Sequence, residues 1–217
     1  MVEKAREGLS TAVGFLLLCV LGLAGCADPG SSLEARRYAP SASLLRSVAV
    51  VPFGAGAFPP SAQPRNVPAD AGAIVARAFA DGLNGRGFRV TPENDVRIAI
   101  SSRKLSVEGL EASLAAEIVS TKFGATSVLI GQVTRFKDRS GGQRGSMSPA
   151  SVAFTVSLHE APSGRLLWRG KFDLRQPSLT EDPRHARRLP GGGRRWLTSP
   201  QLATWGVANI IDSMLAE

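Results

Sequence analysis

The chain has 217 residues, of which 43% are hydrophobic and 20% are charged, a composition that is typical of folded domains and excludes wholesale disorder. Its 26 basic residues outnumber 18 acidic ones, and the formal charge of +8 suits an anionic partner such as nucleic acid, a membrane or a cell-wall surface. Two cysteines and two histidines exclude a disulfide-rich scaffold or a zinc site built on several thiolates, and we expect no metal site.

The first predicted element is an apolar run, AVGFLLLCVLGLA over residues 12–24, that contains no charged residue. It is shorter than the ~20 residues that span a bilayer and has the length of the hydrophobic region of a signal peptide. Lys4 and Arg6 precede it, although Glu3 and Glu7 offset their charge. The pattern predicts an exported chain.

The apolar run ends in Leu23, Ala24, Gly25 and Cys26. This motif resembles the lipobox of bacterial lipoproteins. The resemblance implies that residues 1–25 are a removed signal peptide and that Cys26 carries a covalent lipid; we expect no other cofactor. Ala27 in place of aspartate favours an outer-membrane location facing the periplasm. An ordinary secretory signal or a buried N-terminal helix are the alternatives.

Residues 26–45 are rich in Ala, Ser, Pro and Gly and show no apolar periodicity. They predict a flexible tether from the lipidated cysteine. Residues 46–217 then form a single periplasmic domain, and export removes nucleic acid from the expected partners.

Apolar runs and helical periodicity predict the elements of this domain. In chain order they are a strand at 47–53, a helix at 69–84, a strand at 88–90, helices at 94–102 and 108–122, a strand at 126–133, two strands within 152–174 and a helix from 199. The last two strands alternate apolar and polar residues and are joined by the hairpin turn Ala161-Pro162-Ser163-Gly164. This order predicts an α+β two-layer sandwich, with a mixed sheet of about five strands and helices packed on one face.

Four segments resemble a group of periplasmic lipoproteins that includes the curli-secretion lipoprotein, the activator lipoprotein of penicillin-binding proteins and the amino-terminal domain of the Tol translocation protein. They are VAVVPF at 48–53, GFRV at 87–90, FGATSVLIGQV at 123–133 and SGRLLW at 163–168. The resemblance implies a shared fold and a non-catalytic, lipid-anchored envelope lipoprotein that acts by protein–protein contacts in cell-wall or outer-membrane assembly. The alternative is an oligomeric component of a secretion or transport assembly.

The sequence contains no recognisable catalytic constellation. His159 and His185 have no cysteine or carboxylate at ligand spacing, and the Gly-x-Ser-x-Gly motif of serine hydrolases is absent. We therefore expect no catalytic residues and no enzyme, with an envelope hydrolase as the hypothesis to exclude.

A cluster of arginines precedes the last helix. Guanidinium groups bind phosphates and carboxylates in a bidentate manner, which makes this cluster a candidate contact for a partner protein, peptidoglycan or anionic lipid. The alternative is a solvated loop. The candidate residues are Arg184, Arg187, Arg188, Arg194 and Arg195.

Overall fold

The computed structural model describes residues 31–37, 47–55, 67–107 and 109–216. The predicted signal peptide, its motif Leu23-Ala24-Gly25 and the lipidation site Cys26 lie outside these residues and stay predictions. Within the described residues, none of the helices is both long and apolar enough to cross a bilayer.

The described chain contains nine strands and five helices. In chain order the elements are β1 (Ser31–Arg37), β2 (Ser47–Val50), β3 (Gly54–Ala55), α1 (Ala71–Asn84), β4 (Arg89–Thr91), α2 (Glu93–Ser102), α3 (Ala112–Phe123), β5 (Ser127–Lys137), β6 (Ser140–Gly141), β7 (Ser146–Ser148), β8 (Ser151–Glu160), β9 (Leu166–Arg175), α4 (Pro183–Ala186) and α5 (Ser199–Leu215).

Seven strands form one mixed sheet in the order β1-β9-β8-β5-β2-β4, with β3 also paired to β5. Strand β2 runs parallel to β4 and β5, whereas β5, β8, β9 and β1 are antiparallel neighbours. Strands β6 and β7 form a separate small ribbon. The predicted α+β fold with a mixed sheet is confirmed, and the sheet contains two strands, β1 and β3, that the sequence pattern does not predict.

The helices divide between the two faces of the sheet, which corrects the expectation that they share one face. Val48 and Val50 of β2 pack in a core with α1 and α5, whereas Ala49 and Val51 pack in a second core with α2 and α3. A strand that is apolar on both sides needs apolar cover on both faces. The two-layer description holds for the part of the sheet formed by β8, β9 and β1.

Strand β1 lies inside the segment predicted to be a flexible tether. It pairs antiparallel with β9 from Ser31, opposite Leu174, to Arg37, opposite Trp168. For these seven residues the tether prediction is wrong. The segment has little β-propensity of its own, so its strand conformation depends on the backbone hydrogen bonds that it forms with β9.

The larger core is organised around a row of aromatic side chains. Ring centroids are 5.4 Å apart for Phe53 and Phe79, 5.8 Å for Phe79 and Phe154, 5.2 Å for Phe154 and Phe172, and 6.1 Å for Phe172 and Trp205. Tilted and edge-to-face pairs at these separations are favourable beyond the area that they bury. The row packs α1 and α5 against one face of the sheet. The opposite face of β8 and β9 does not take part in this core.

Candidate functional site

The sheet has a polar face that points away from α1 and α5. We call it the open sheet face. The strand registers place a set of side chains from β1, β9, β8 and the second half of β5 on this face. The set consists of Glu34, Arg36, Gln132, Arg135, Thr155, Ser157, His159, Arg169, Lys171, Asp173 and Arg175.

Cross-strand ion pairs organise the charges of the open sheet face. Arg135 forms an ion pair with Asp173 two strands away, and its Nε donates to Ser151 Oγ over 2.5 Å. Lys171 Nζ lies 3.9 Å from Glu34 Oε1. Half-exposed pairs of this kind are screened by water and contribute about 0–1 kcal/mol each to stability. Their main effect is to hold long side chains in defined positions on the sheet.

Two arginines of the open sheet face lie directly opposite each other. Arg36 of β1 pairs in register with Arg169 of β9, and both side chains are exposed. Like charges at directly opposed positions of neighbouring strands destabilise a sheet. The pair places two guanidinium-bearing side chains at one position of the open sheet face, and guanidinium groups bind carboxylates in a bidentate manner.

His159 and Ser157 form a hydroxyl–imidazole pair on the open sheet face. His159 Nε2 lies 2.9 Å from Ser157 Oγ, and Nδ1 lies 2.9 Å from the carbonyl oxygen of Gly164. A carbonyl oxygen only accepts, so Nδ1 carries the proton and donates to it, while Nε2 accepts from the Ser157 hydroxyl. Burial lowers the pKa of His159; the hydrogen bond to Gly164 opposes this shift and the charge of Arg169 adds to it.

The surroundings of this pair do not provide the rest of a hydrolase site. Strand β8 is paired with β5 on one side and β9 on the other, so the backbone N–H groups around Ser157 serve the sheet and are not free to bind an oxyanion. A backbone carbonyl occupies the place of the carboxylate that orients the imidazole in a catalytic triad. Within the described residues there is also no group of three metal-ligating side chains.

The predicted arginine cluster lies on the segment 176–198 between β9 and α5, which we call the arginine loop. Buried Gln176 fixes its far end, because its Nε2 donates to Arg195 O over 2.9 Å and its Oε1 accepts from Leu197 N over 2.7 Å. Two residues of the loop itself, Ala186 and Leu189, are buried. The loop is therefore packed onto the domain along its length.

The three glycines of the arginine loop are required by its path. Gly191, Gly192 and Gly193 all have positive φ, and a Cβ on Gly193 would lie 2.6 Å from Ala186 O. Helix α5 begins immediately afterwards with a capping box formed by Thr198 and Gln201. The left-handed conformation of the three glycines folds the arginine loop back on itself.

All five predicted arginines are exposed on the arginine loop. None of their guanidinium groups forms an ion pair with another described residue. The structure therefore brings the predicted residues together on one surface, with their charges available to a partner.

A second basic loop, which the sequence analysis did not connect with the first, lies beside the arginine loop. Trp196 N donates to Gln143 O over 2.9 Å, and Arg139 Nη1 donates to Trp196 O over 2.6 Å. The two loops meet because β5 and β9 are both antiparallel to β8, so their C-terminal ends lie side by side at the same end of the sheet. An antiparallel order of β5, β8 and β9 is the signal that could have predicted that the two loops are neighbours. Together, residues 137–148 and 175–198 form what we call the basic end.

Helices α1 and α5 enclose an apolar groove of about 690 Å³ on the remaining side of the domain. Small and aliphatic side chains line it, among them Ile74, Ala78, Gly82 and Val207, and Asp70 and Asp81 lie at its rim. The groove lies across the aromatic core from the open sheet face and is separate from the arginine loop.

Comparisons with known proteins show where similar folds occur. No protein-family model matches the chain, and no curated protein matches its sequence. Among solved structures, the PelC dodecamer from Paraburkholderia phytofirmans is 17% identical, with 86% of this chain and 99% of that chain covered and a TM-score of 0.48.

Two further structures are similar over a shorter part of the chain. The lipoprotein GNA1162 from Neisseria meningitidis is 18% identical, with 61% of this chain and 82% of that chain covered and a TM-score of 0.43. The LpoB C-terminal domain from Salmonella enterica is 18% identical, with 61% and 84% covered and a TM-score of 0.38.

Proposed function

We propose that the protein is a non-catalytic lipoprotein of the bacterial envelope that binds an acidic partner protein through its open sheet face. The observation that carries this proposal is the apposition of Arg36 and Arg169 on neighbouring strands. The open sheet face carries five basic side chains against two acidic ones, so its complement is a surface rich in Asp and Glu. The process served is cell-wall or outer-membrane assembly.

The anchor in this proposal is a lipid on Cys26. The motif Leu23-Ala24-Gly25-Cys26 directly follows the apolar run of a signal peptide and supports acylation there. Each buried methylene of an acyl chain contributes about 0.8 kcal/mol, so several chains hold a protein on a membrane essentially permanently. Ala27 after the cysteine supports the outer membrane, facing the periplasm.

The non-catalytic part of the proposal is supported by the setting of the Ser157–His159 pair. The hydroxyl and imidazole lie on a central strand whose backbone donors are committed to the sheet, and they adjoin the paired arginines. In this setting the pair provides hydrogen-bonding groups at the centre of a binding surface. Hydrolysis would require donors for a developing oxyanion, which these strands do not offer.

The test is site-specific photo-crosslinking in living cells. A photo-crosslinking residue at Thr155, on the open sheet face, is expected to capture a partner protein, and the same residue at the exposed Ser101 of α2 is the matched control. Combining the Thr155 probe with Arg169→Glu should reduce the crosslink about tenfold or more, because a charge reversal at a hot spot costs at least ~2 kcal/mol. Arg97→Glu on α2 makes the same change of charge away from the open sheet face and should leave the crosslink intact.

Three outcomes would count against the proposal. Equal crosslinking with Arg169→Glu and Arg97→Glu would remove the open sheet face as the binding surface. A crosslink from the Thr155 probe to a second copy of the same chain, with a multimer in native mass measurements, would support the alternative of an oligomeric transport component. A Cys26→Ala protein that still fractionates with membranes and migrates like the wild type would contradict the lipid anchor.

A further inference from the structure

The start of β1 lies at the basic end of the domain. Ser31 is opposite Leu174, and the next residue of β9, Arg175, is opposite Ser151 of β8, which in turn is opposite Lys137 of β5. One row across the sheet therefore joins the first residue of β1 to both basic loops. Leu33 of β1 also lines a pocket of about 150 Å³ together with His185 and Arg188 of the arginine loop.

Only four residues separate Ser31 from Cys26. Five residue steps of at most ~3.6 Å span about 18 Å, even when the chain is fully extended. A lipid on Cys26 therefore keeps the basic end close to the headgroup layer. Because β1 pairs with β9 from Ser31 onward, the linker between the lipidated cysteine and the folded domain is much shorter than the tether predicted from the sequence.

The basic end carries a large excess of positive charge. Residues 137–148 and 175–198 contain nine basic side chains against three acidic ones. Glu181 is paired with Arg175 over 3.3 Å, and the Asp138 and Asp182 carboxylates accept hydrogen bonds from backbone N–H groups. The five arginines of the arginine loop have no acidic partner among the described residues.

Exposed apolar side chains are concentrated at the same end. Among the described residues, the exposed large hydrophobic side chains are Leu33, Ile98, Met147 and Leu179, with exposed fractions of 50%, 57%, 93% and 36%. Met147 lies on the second basic loop, Leu179 on the arginine loop and Leu33 on the adjoining strand. Apolar side chains surrounded by arginines are the composition of surfaces that lie on a membrane interface.

We propose that the basic end docks on the anionic phospholipid headgroups of the membrane that holds the lipid anchor. Leu33, Met147 and Leu179 enter the interface while the arginines contact phosphate groups. This inference rests on the lipid anchor of the proposed function and adds an orientation to it. Strands β8 and β9 then run away from the membrane, and the hairpin turn at 161–165 is the point farthest from it.

The test uses the acylated protein reconstituted into vesicles. Cys19 lies within the predicted signal peptide and Cys26 is blocked by lipid, so an engineered cysteine is the single free thiol of the mature chain. A fluorophore on Thr180→Cys reports on the arginine loop, and one on Ser163→Cys reports on the opposite end of the strands. Quenching is measured with a nitroxide on the lipid headgroup, in phosphatidylcholine alone and in an equimolar mixture with phosphatidylglycerol.

We expect strong quenching at position 180 and weak quenching at position 163, and we expect this contrast to be much larger with phosphatidylglycerol than in phosphatidylcholine alone. Each basic side chain near an anionic surface favours docking about fivefold, so three neutralised arginines should remove most of the contrast. The variant is Arg187→Gln, Arg188→Gln and Arg194→Gln. The matched control, with the same net charge, is Arg97→Gln, Lys104→Gln and Lys122→Gln on the α2 and α3 side, and it should behave like the wild type.

The possible failures are distinguishable. Mass spectrometry that finds Cys26 unmodified would overturn the anchor and this inference together. Acylated protein with equal quenching at both positions would overturn this inference alone, and so would a contrast that is the same in phosphatidylcholine. Equal quenching together with arginine-dependent pelleting on isolated peptidoglycan would assign the basic end to the cell wall instead.

Discussion

At the scale of single residues, His159 is the side chain whose surroundings change its chemistry most clearly. Burial lowers its pKa from an ordinary value of 6.5, and the neighbouring Arg169 lowers it further, against the effect of the hydrogen bond to Gly164. The neutral ring suits its contacts, since Nδ1 donates to a carbonyl and Nε2 accepts from a hydroxyl. Protonation of Nε2 would remove the acceptor of the Ser157 hydroxyl and would place a cation beside Arg169.

This lowered pKa predicts a pH dependence of stability. The unfolded chain binds a proton on His159 more readily than the folded one, so stability rises with pH between the two pKa values. The contribution is fully present above the ordinary value of 6.5 and is lost as the pH falls through the lowered folded value. The wild type should therefore lose more stability than His159→Gln between about pH 7 and pH 5. Urea denaturation of both proteins at each pH measures the difference, and identical pH profiles would show that His159 does not contribute.

At the scale of elements, the sequence was most informative where each strand or helix carries its own apolar pattern. The alternation in β8 placed Val152, Phe154 and Val156 on one face, and they are all buried in the core with α1 and α5. The hairpin turn before β9 also forms, with Glu160 N donating to Arg165 O over 2.8 Å. These features depend on residues that are close together in the chain, which is why the sequence predicts them.

The elements that were missed take their structure from distant partners. Residues 31–37 contain a single large apolar residue, Leu33, and form a strand only because β9 offers an unpaired edge. The same reason hid the contribution of β1 to the open sheet face, whereas the alternation within β8 and β9 already predicts a polar face that carries Ser157, His159, Arg169 and Lys171. The five arginines of the arginine loop lie close together in the chain, so the sequence predicts their cluster. The apposition of Arg36 and Arg169 exists only in the register of two strands that are far apart in sequence.

Hydrogen exchange tests the pairing of β1 directly. Amides of β1 that donate to β9 should exchange on the order of tenfold or more slowly than in an unstructured peptide, because exchange requires at least local opening of the edge strand. Ala35→Pro should abolish this protection, since proline lacks the N–H group and restricts the backbone. Protection in the central strand β8 should be unchanged, because it pairs with β5 and β9. Exchange of residues 31–37 at the unstructured rate would restore the tether interpretation.

At the scale of the whole molecule, strands β8, β9 and β1 separate the core formed with α1 and α5 from the polar open sheet face. Neighbouring residues of β8 point to opposite sides, so Phe154 lies in the aromatic row while Thr155 lies on the open sheet face. A domain built in this way keeps its binding surface rigid without burying it. Docking of the basic end would orient β8 away from the membrane. The ten residues of β8 are about 33 Å long, so the open sheet face would extend about that far from the membrane surface.

The separation predicts opposite responses to substitution at adjacent positions. Phe154→Ala removes the central, fully buried ring of the aromatic row and should lower the free energy of unfolding by about 3–5 kcal/mol. Thr155→Ala, one residue along the same strand, should cost less than about 1 kcal/mol because its side chain leaves no cavity in the core. Urea denaturation followed by circular dichroism and by tryptophan fluorescence measures both. Because the cores on the two sides share β2 and β5, both probes should report the same midpoint for each protein, and separate midpoints would mean that the two sides of the sheet unfold independently.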